Sequence, residues 1–270
     1  MRDLHTRREA ASLLVGLTAI AGASLSPNAS ASAKSITDET VHIDARPEAI
    51  AFDPRKTAVI VIDMQNDFGA KGGMFDRAGI DITGIQAVVP SVRSALSAAR
   101  AAGLPVIYLK MGFRADLSDA GPPTGPNLLK HAPMHVGQQV TAPDGSASRI
   151  LVRDTWNTEI IPELRPLAQD VVLYKTRFSG FFNTDLHEIL TRRGVNTLVV
   201  TGCTTSVCVE STVRDAMFRN YRCIILEDCA AEPVGNTAPR TNHEASLLTM
   251  QVLFAWISDS QKFARALAPS

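Results

Sequence analysis

A three-layer α/β/α domain with a mostly parallel central sheet is predicted from three features of this chain. Its strand-length apolar runs do not alternate with polar residues, as TAVIVI over Thr57–Ile62 shows. Strands of that kind are covered on both faces. Each run is followed by a stretch of helical spacing, and Gly or Pro marks many of the joins.

The elements follow in order. Residues 34–50 are mixed in character and read as a lead-in arm to a domain spanning 51–270. The first strand is Thr57–Ile62, ending at Asp63. Residues 86–102 have helical period, with Val88, Val92, Ala95, Leu96 and Ala99 on one side. Gly103 and Pro105 terminate that helix. A strand is predicted over 106–109. Residues 112–150 are rich in Gly and Pro and read as a long surface excursion. A strand over 171–174 ends at Lys175. A helix over 184–193 is closed by Gly194. Then come a strand over 197–201, a helix over 206–219, a strand over 223–226 and a mostly helical stretch over 239–257.

With 270 residues, 45% of them hydrophobic, the chain can bury one large core. Lys and Arg number 27, as do Asp and Glu. That balance gives no electrostatic footprint for nucleic acid or an anionic membrane. Residues 1–33 read as an export signal of twin-arginine type. Arg7 and Arg8 precede an apolar run over 13–25, and small residues over 29–33 offer cleavage sites. The run is too short and too rich in small residues to span a membrane well. Export, with a periplasmic destination, is the expectation; an uncleaved extension on a cytoplasmic protein is the alternative. Of the four cysteines, Cys203, Cys208, Cys223 and Cys229, none is expected to act as a staple, because a chain this long has a core to hold it.

Ligands of open α/β sheets bind at the carboxyl ends of the strands. Three reactive residue types fall there. Asp63 and Lys175 each end a strand, and Cys208 lies in the turn where a third strand passes into a helix. Each has a plainer reading: a capping acid, a solvated lysine, a buried thiol. Their placement on one rim favours chemistry. A thiol in the first turn of a helix is expected to have a lowered pKa. The free N–H groups of that turn can hold an oxyanion. Asp63 can take the thiol proton during attack on a carbonyl and return it to a leaving amine. Lys175 supplies fixed positive charge. The six histidines follow no catalytic pattern around this rim.

Three stretches make the chain similar to the isochorismatase-like cysteine hydrolases: TAVIVIDMQNDF over 57–68, YKTRFSGFFNTDL over 174–186 and VTGCTTSVCVESTVRDA over 200–216. The likeness implies a catalytic triad of Asp63, Lys175 and Cys208. It also implies a non-proline cis peptide at Cys203–Thr204, with the N–H groups of Thr204 and Cys208 as oxyanion hole. Within the family the chain most resembles the ureidoacrylate amidohydrolases, with biuret and triuret hydrolases nearby. The implied reaction is metal-independent cleavage of a C–N bond in a small ureido or carboxamide substrate, through a thioester on Cys208. A homo-oligomer is implied too, with no cofactor.

The substrate side departs from that group. Met111 and Phe113 stand where the group tends to carry Asn and Trp, and Phe178 stands where it has Tyr. A more apolar pocket is expected, walled by Phe68, Met111, Phe113, Trp156, Phe178, Phe181 and Phe182, with Asn127 from the shared GPN stretch. The Asp-x-His metal motif of the nicotinamidases is absent from 114–119, and no metal site is expected from His131 and His135 in their Pro- and Gly-rich loop. Two other readings stay open: a biuret-type or simple carboxamide hydrolase, and a thiol redox protein pairing Cys208 with Cys203.

Overall fold

The computed structural model describes residues 40–268. The signal expected over 1–33 lies outside them. Among the described residues, no helix is long and apolar enough to cross a membrane.

The chain opens with an antiparallel pair, β1 (Val41–Ile43) and β2 (Ile50–Phe52). The lead-in arm is therefore part of a hairpin, and the boundary at residue 50 falls inside β2. Phe52 is fully buried and stacks on Phe263 at 6.4 Å. β3 (Thr57–Ile62) leads into two one-turn helices, α1 (Asn66–Gly69) and α2 (Met74–Arg77), then α3 (Thr83–Ala101) and β4 (Val106–Met111). The excursion after β4 carries α4 (Pro126–His131) and a hairpin of β5 (Gln139–Thr141) and β6 (Ala147–Arg149). Next come β7 (Val171–Lys175), α5 (Leu186–Arg192), β8 (Thr197–Cys203), α6 (Glu210–Met217) and β9 (Arg222–Ala231). α7 (Asn242–Leu253), β10 (Trp256–Ser258) and α8 (Ser260–Leu267) finish the domain.

Six strands form one sheet in the order β10-β9-β8-β3-β4-β7, and every pairing is parallel. Period-two alternation splits the apolar residues between two layers. Val59, Val61, Val199 and Ile224 pack with Val92, Leu96 and Ala99 of α3 and Phe263 of α8. Ala58, Ile60, Ile62 and Val200 pack with Leu190, Val213 and Met250 of α5, α6 and α7. Both faces are buried, which explains the strand runs without alternation.

The 239–257 stretch resolves into more than a helix. Thr241 caps α7 by accepting from the Glu244 amide, and the Glu244 carboxylate accepts from the Thr241 amide. The helix then stops, and the three-residue β10 pairs with β9.

β8 needs glycine at one point. Gly202 has φ +118, and a Cβ there would lie 2.0 Å from the Ile62 carbonyl oxygen of β3. Both atoms belong to backbone held in the sheet, so neither can yield. Gly202→Ala is expected to cost about 3 kcal/mol or more, lowering the melting temperature by on the order of 10 °C. A thermal unfolding curve matching the wild type would show that the strand shifts to make room.

Candidate active site

The carboxyl ends of β3, β7 and β8 bring the three sequence-derived candidates together. Asp63 follows β3 in the left-handed region, at φ 53, with its amide donating to the Leu109 carbonyl at 2.9 Å. Lys175 ends β7 and is fully buried. Its Nζ lies 2.8 Å from Asp63 Oδ2 and 3.3 Å from Cys208 Sγ. It also donates to the Arg177 carbonyl and sits 3.7 Å from Met111 Sδ. Cys208 is 6% exposed. Acid, base and thiol thus form one buried cluster, reached from three separate strands.

Gln65 holds this rim together. It is buried, and its side chain donates to the Met111 carbonyl at 2.9 Å and accepts the Met111 amide at 2.8 Å. Asp67 ties the excursion to the same loop. It accepts from the Met74 and Leu151 amides and from the Asn157 side chain, and burial pushes it up to about 7 against those bonds. Neither role was read from the sequence, although both residues lie in the DMQNDF stretch.

Cys208 occupies a π-helical turn over Thr205–Val209, ahead of α6. The peptide Cys203–Thr204 is cis. The amides of Val207 and Val209 both donate to the Thr204 carbonyl at 3.1 Å. The turn is pinned at each end. Glu232 accepts the Ser206 amide at 2.8 Å, and the Thr212 hydroxyl donates to the Cys208 carbonyl at 2.7 Å. The Gly180 amide, from the loop after Lys175, donates to that same hydroxyl at 3.0 Å.

The expected lowering of the Cys208 pKa does not occur. Burial pushes the thiol well up; Lys175 opposes this, and the negative charge of Asp63 adds to it. A helix terminus contributes about 1 kcal/mol, less than the several kcal/mol needed to desolvate a charge. The residue is also set back in the π-turn rather than exposed at the start of α6. Burial pushes Asp63 above the usual carboxylate range, against the pull of Lys175. For Lys175, burial works downward, but the ion pair and hydrogen bonding to its neighbours Asp63 and Cys208 outweigh it and raise its pKa. Neither Asp63 oxygen has a partner that meets hydrogen-bond geometry, the Lys175 contact being an ion pair only. The cluster therefore holds a protonated thiol beside a carboxylate of raised basicity.

Cys203 is placed differently. It packs in the α3 and α8 layer, whereas Cys208 lies in the opposite layer. Its thiol donates to the Asp63 carbonyl at 3.2 Å, and burial pushes its pKa well up. All four cysteines are buried and free.

The expected wall residues separate into two groups. Met111 touches Lys175. Phe113 is buried edge-on to His131 at 6.1 Å, and the half-exposed Phe178 tilts against His131 at 5.6 Å. Phe68 is buried edge-on to Phe75 at 4.9 Å. Trp156 is half-buried, and its carbonyl accepts from Asn66. The Asn127 amide donates to the Ala120 carbonyl within the excursion. Phe181 stacks on Tyr221 at 5.8 Å beneath Arg219, which is core packing. Phe182 is exposed under Arg177 and lines a surface cleft of about 560 Å³ with Tyr174, Thr176 and Asn183. Ring size and apolarity alone did not distinguish these positions. Among the described residues, no group of three or more His, Cys, Asp or Glu is placed to hold a metal.

Known proteins share this architecture. The chain is 38% identical over 230 residues to the ureidoacrylate amidohydrolase RutB of Cronobacter sakazakii, covering 85% of this chain and 96% of that one. The structure of a cysteine hydrolase from Pseudomonas syringae pv. phaseolicola superposes with a TM-score of 0.66 at 32% identity, covering 80% of this chain and 94% of the other. N-carbamoylsarcosine amidase from Thermoplasma acidophilum superposes with a TM-score of 0.55 at 28% identity, covering 76% and 96%. The isochorismatase domain matches residues 57–262, and the chain belongs to the isochorismatase family.

Proposed function

We propose that this protein is an amidohydrolase that cleaves a C–N bond of a small ureide or carboxamide, with Cys208 as nucleophile. One observation carries the reading: Lys175 Nζ lies 2.8 Å from Asp63 Oδ2 and 3.3 Å from Cys208 Sγ inside a buried cluster. Cys208 Sγ attacks the substrate carbonyl as its proton passes to Asp63. The amides of Thr204 and Cys208 hold the oxyanion. Asp63 returns the proton to the leaving nitrogen, the C–N bond breaks, and a carbamoyl or acyl thioester remains. Water, deprotonated by Asp63, cleaves the thioester and restores the thiol. Lys175 stays protonated throughout and keeps Asp63 in place. No metal enters this scheme, because residues 114–119 lack the Asp-x-His motif. The named relatives, an ureidoacrylate amidohydrolase and an N-carbamoylsarcosine amidase, support the ureido class. The redox reading is weaker, since Cys203 packs on the other face of the sheet.

Ammonia or amine release from a panel of ureides and carboxamides tests the class. The fine specificity rests on Met111 and Phe178, where polar groups are absent. Weak turnover of ureidoacrylate is expected, with better turnover of a less polar ureide or amide. Met111→Asn should raise kcat/KM for ureidoacrylate about tenfold, since an unmet hydrogen bond costs about 1–3 kcal/mol. Ureidoacrylate proving the best wild-type substrate would overturn this specificity and leave the class intact.

A further inference from the structure

His131 is a polar group that neither the triad nor the sequence motifs account for. It ends α4 in the excursion and is 4% exposed. Its ring packs against both Phe113 and Phe178, two of the expected pocket walls. Nδ1 lies 2.7 Å from the Asn127 carbonyl oxygen. A carbonyl only accepts, so Nδ1 carries the hydrogen. Burial is the main influence on the ring, and the cations of Lys175 and Arg177 push the same way, keeping it neutral. Nε2 is then a bare acceptor: no group among the described residues hydrogen-bonds to it, and it is not one of the fully buried polar atoms left without a partner, so solvent reaches it. His135, the other histidine of this loop, is exposed and gives no second metal ligand.

We propose that His131 Nε2 is the substrate-binding acceptor of this site, receiving an N–H from the ureido nitrogen that stays with the carbonyl when the C–N bond breaks. The inference rests on the amidohydrolase reading and narrows its substrate class. The buried Gln65 amide uses a donor and an acceptor on the Met111 backbone, so it is already partnered, whereas His131 Nε2 is not. An imidazole acceptor packed beside two phenyl rings favours a small molecule with a free N–H. It penalises an analogue dialkylated on the nitrogen that stays with the carbonyl, which offers Nε2 no hydrogen there. It also restores to the pocket some of the polarity that Met111 and Phe178 remove, from a residue outside the family-like motifs.

The test measures alkylamine release from an N-alkylurea and from its N′,N′-dimethyl counterpart. The enzymes compared are the wild type, His131→Phe and His131→Gln, each checked by thermal melting. Phe keeps the ring packing and deletes the acceptor; Gln keeps an acceptor. The wild type should prefer the N-alkylurea at least about tenfold in kcat/KM. His131→Phe should reduce that preference to within about threefold, chiefly through KM, and His131→Gln should retain most of it. Should the Phe variant not fold, His131→Met serves the same comparison. Equal losses on both substrates in the Phe and Gln variants would show a packing role and overturn the inference. So would an unchanged preference in His131→Phe. A wild type that turns over neither urea while cleaving a carboxamide that has no N–H would overturn the inference together with the ureide class. A wild type inactive on every amide and ureide would instead overturn the amidohydrolase reading beneath it.

Discussion

Cys208→Ala is expected to lower kcat at least about a hundredfold while the fold persists. No other thiol on the rim can replace it. Cys203 packs in the opposite layer and donates its S–H to the Asp63 carbonyl. The substitution removes one buried sulfur and strands no charge, because Lys175 keeps its 2.8 Å contact with Asp63. Melting should therefore change by only a few degrees, on the order of 1 kcal/mol of packing. Mass spectrometry of wild-type enzyme quenched during turnover should find the carbamoyl or acyl adduct on the peptide containing Cys208. A rate above about a hundredth of the wild type would end the covalent mechanism. An adduct on Cys203 would make that thiol the nucleophile instead, and a Cys203–Cys208 disulfide formed in turnover would revive the redox reading.

The parallel sheet was legible because its strands are covered on both faces. Val59 and Val61 go to one layer and Ala58, Ile60 and Ile62 to the other, so the apolar run shows no gaps. The same rule placed Asp63 and Lys175 at strand ends and brought Cys208 near them. What stayed hidden has physical causes. β10 has three residues, too few to carry a period. The π-turn at Thr205–Val209 repeats neither the helical nor the strand spacing, and it moves Cys208 away from the start of α6. Burial of the cluster is a tertiary property, set by elements far apart in the chain that meet at Asp63, Lys175 and Cys208, and no local periodicity encodes it. That burial reversed the expected direction of the Cys208 shift. It also concealed His131, which the sequence set aside as a loop histidine. Phe181 and Phe182 are adjacent, yet one packs on Tyr221 and the other lies exposed under Arg177, a difference set by backbone direction rather than residue type.

Asp63→Asn should abolish turnover nearly as completely as loss of the thiol, by about a hundredfold or more, because an amide cannot take the proton. It should also destabilise the protein. Lys175 is fully buried, and without the carboxylate its charge loses its ion-pair partner. Removing one member of a buried pair costs about 3–5 kcal/mol. A loss of activity through unfolding must therefore be separated from a loss of proton transfer. Adding Lys175→Met removes the stranded charge, so the double variant should recover most of the melting temperature and remain inactive. Alkylation gives a second, opposite-signed readout in the single variant. The negative charge of Asp63 helps push the Cys208 thiol up, while Lys175 pulls it down. With the carboxylate gone, the thiolate becomes the anion that holds the Lys175 ammonium against burial, so the thiol pKa falls and Cys208 carries more thiolate than in the wild type. Iodoacetamide should thus label Cys208 of Asp63→Asn at lower pH than in the wild type, although turnover is lost. Alkylation that shifts to higher pH would mean the carboxylate serves to keep the thiolate formed, and Asp63 would then be a positioning residue instead of the proton carrier.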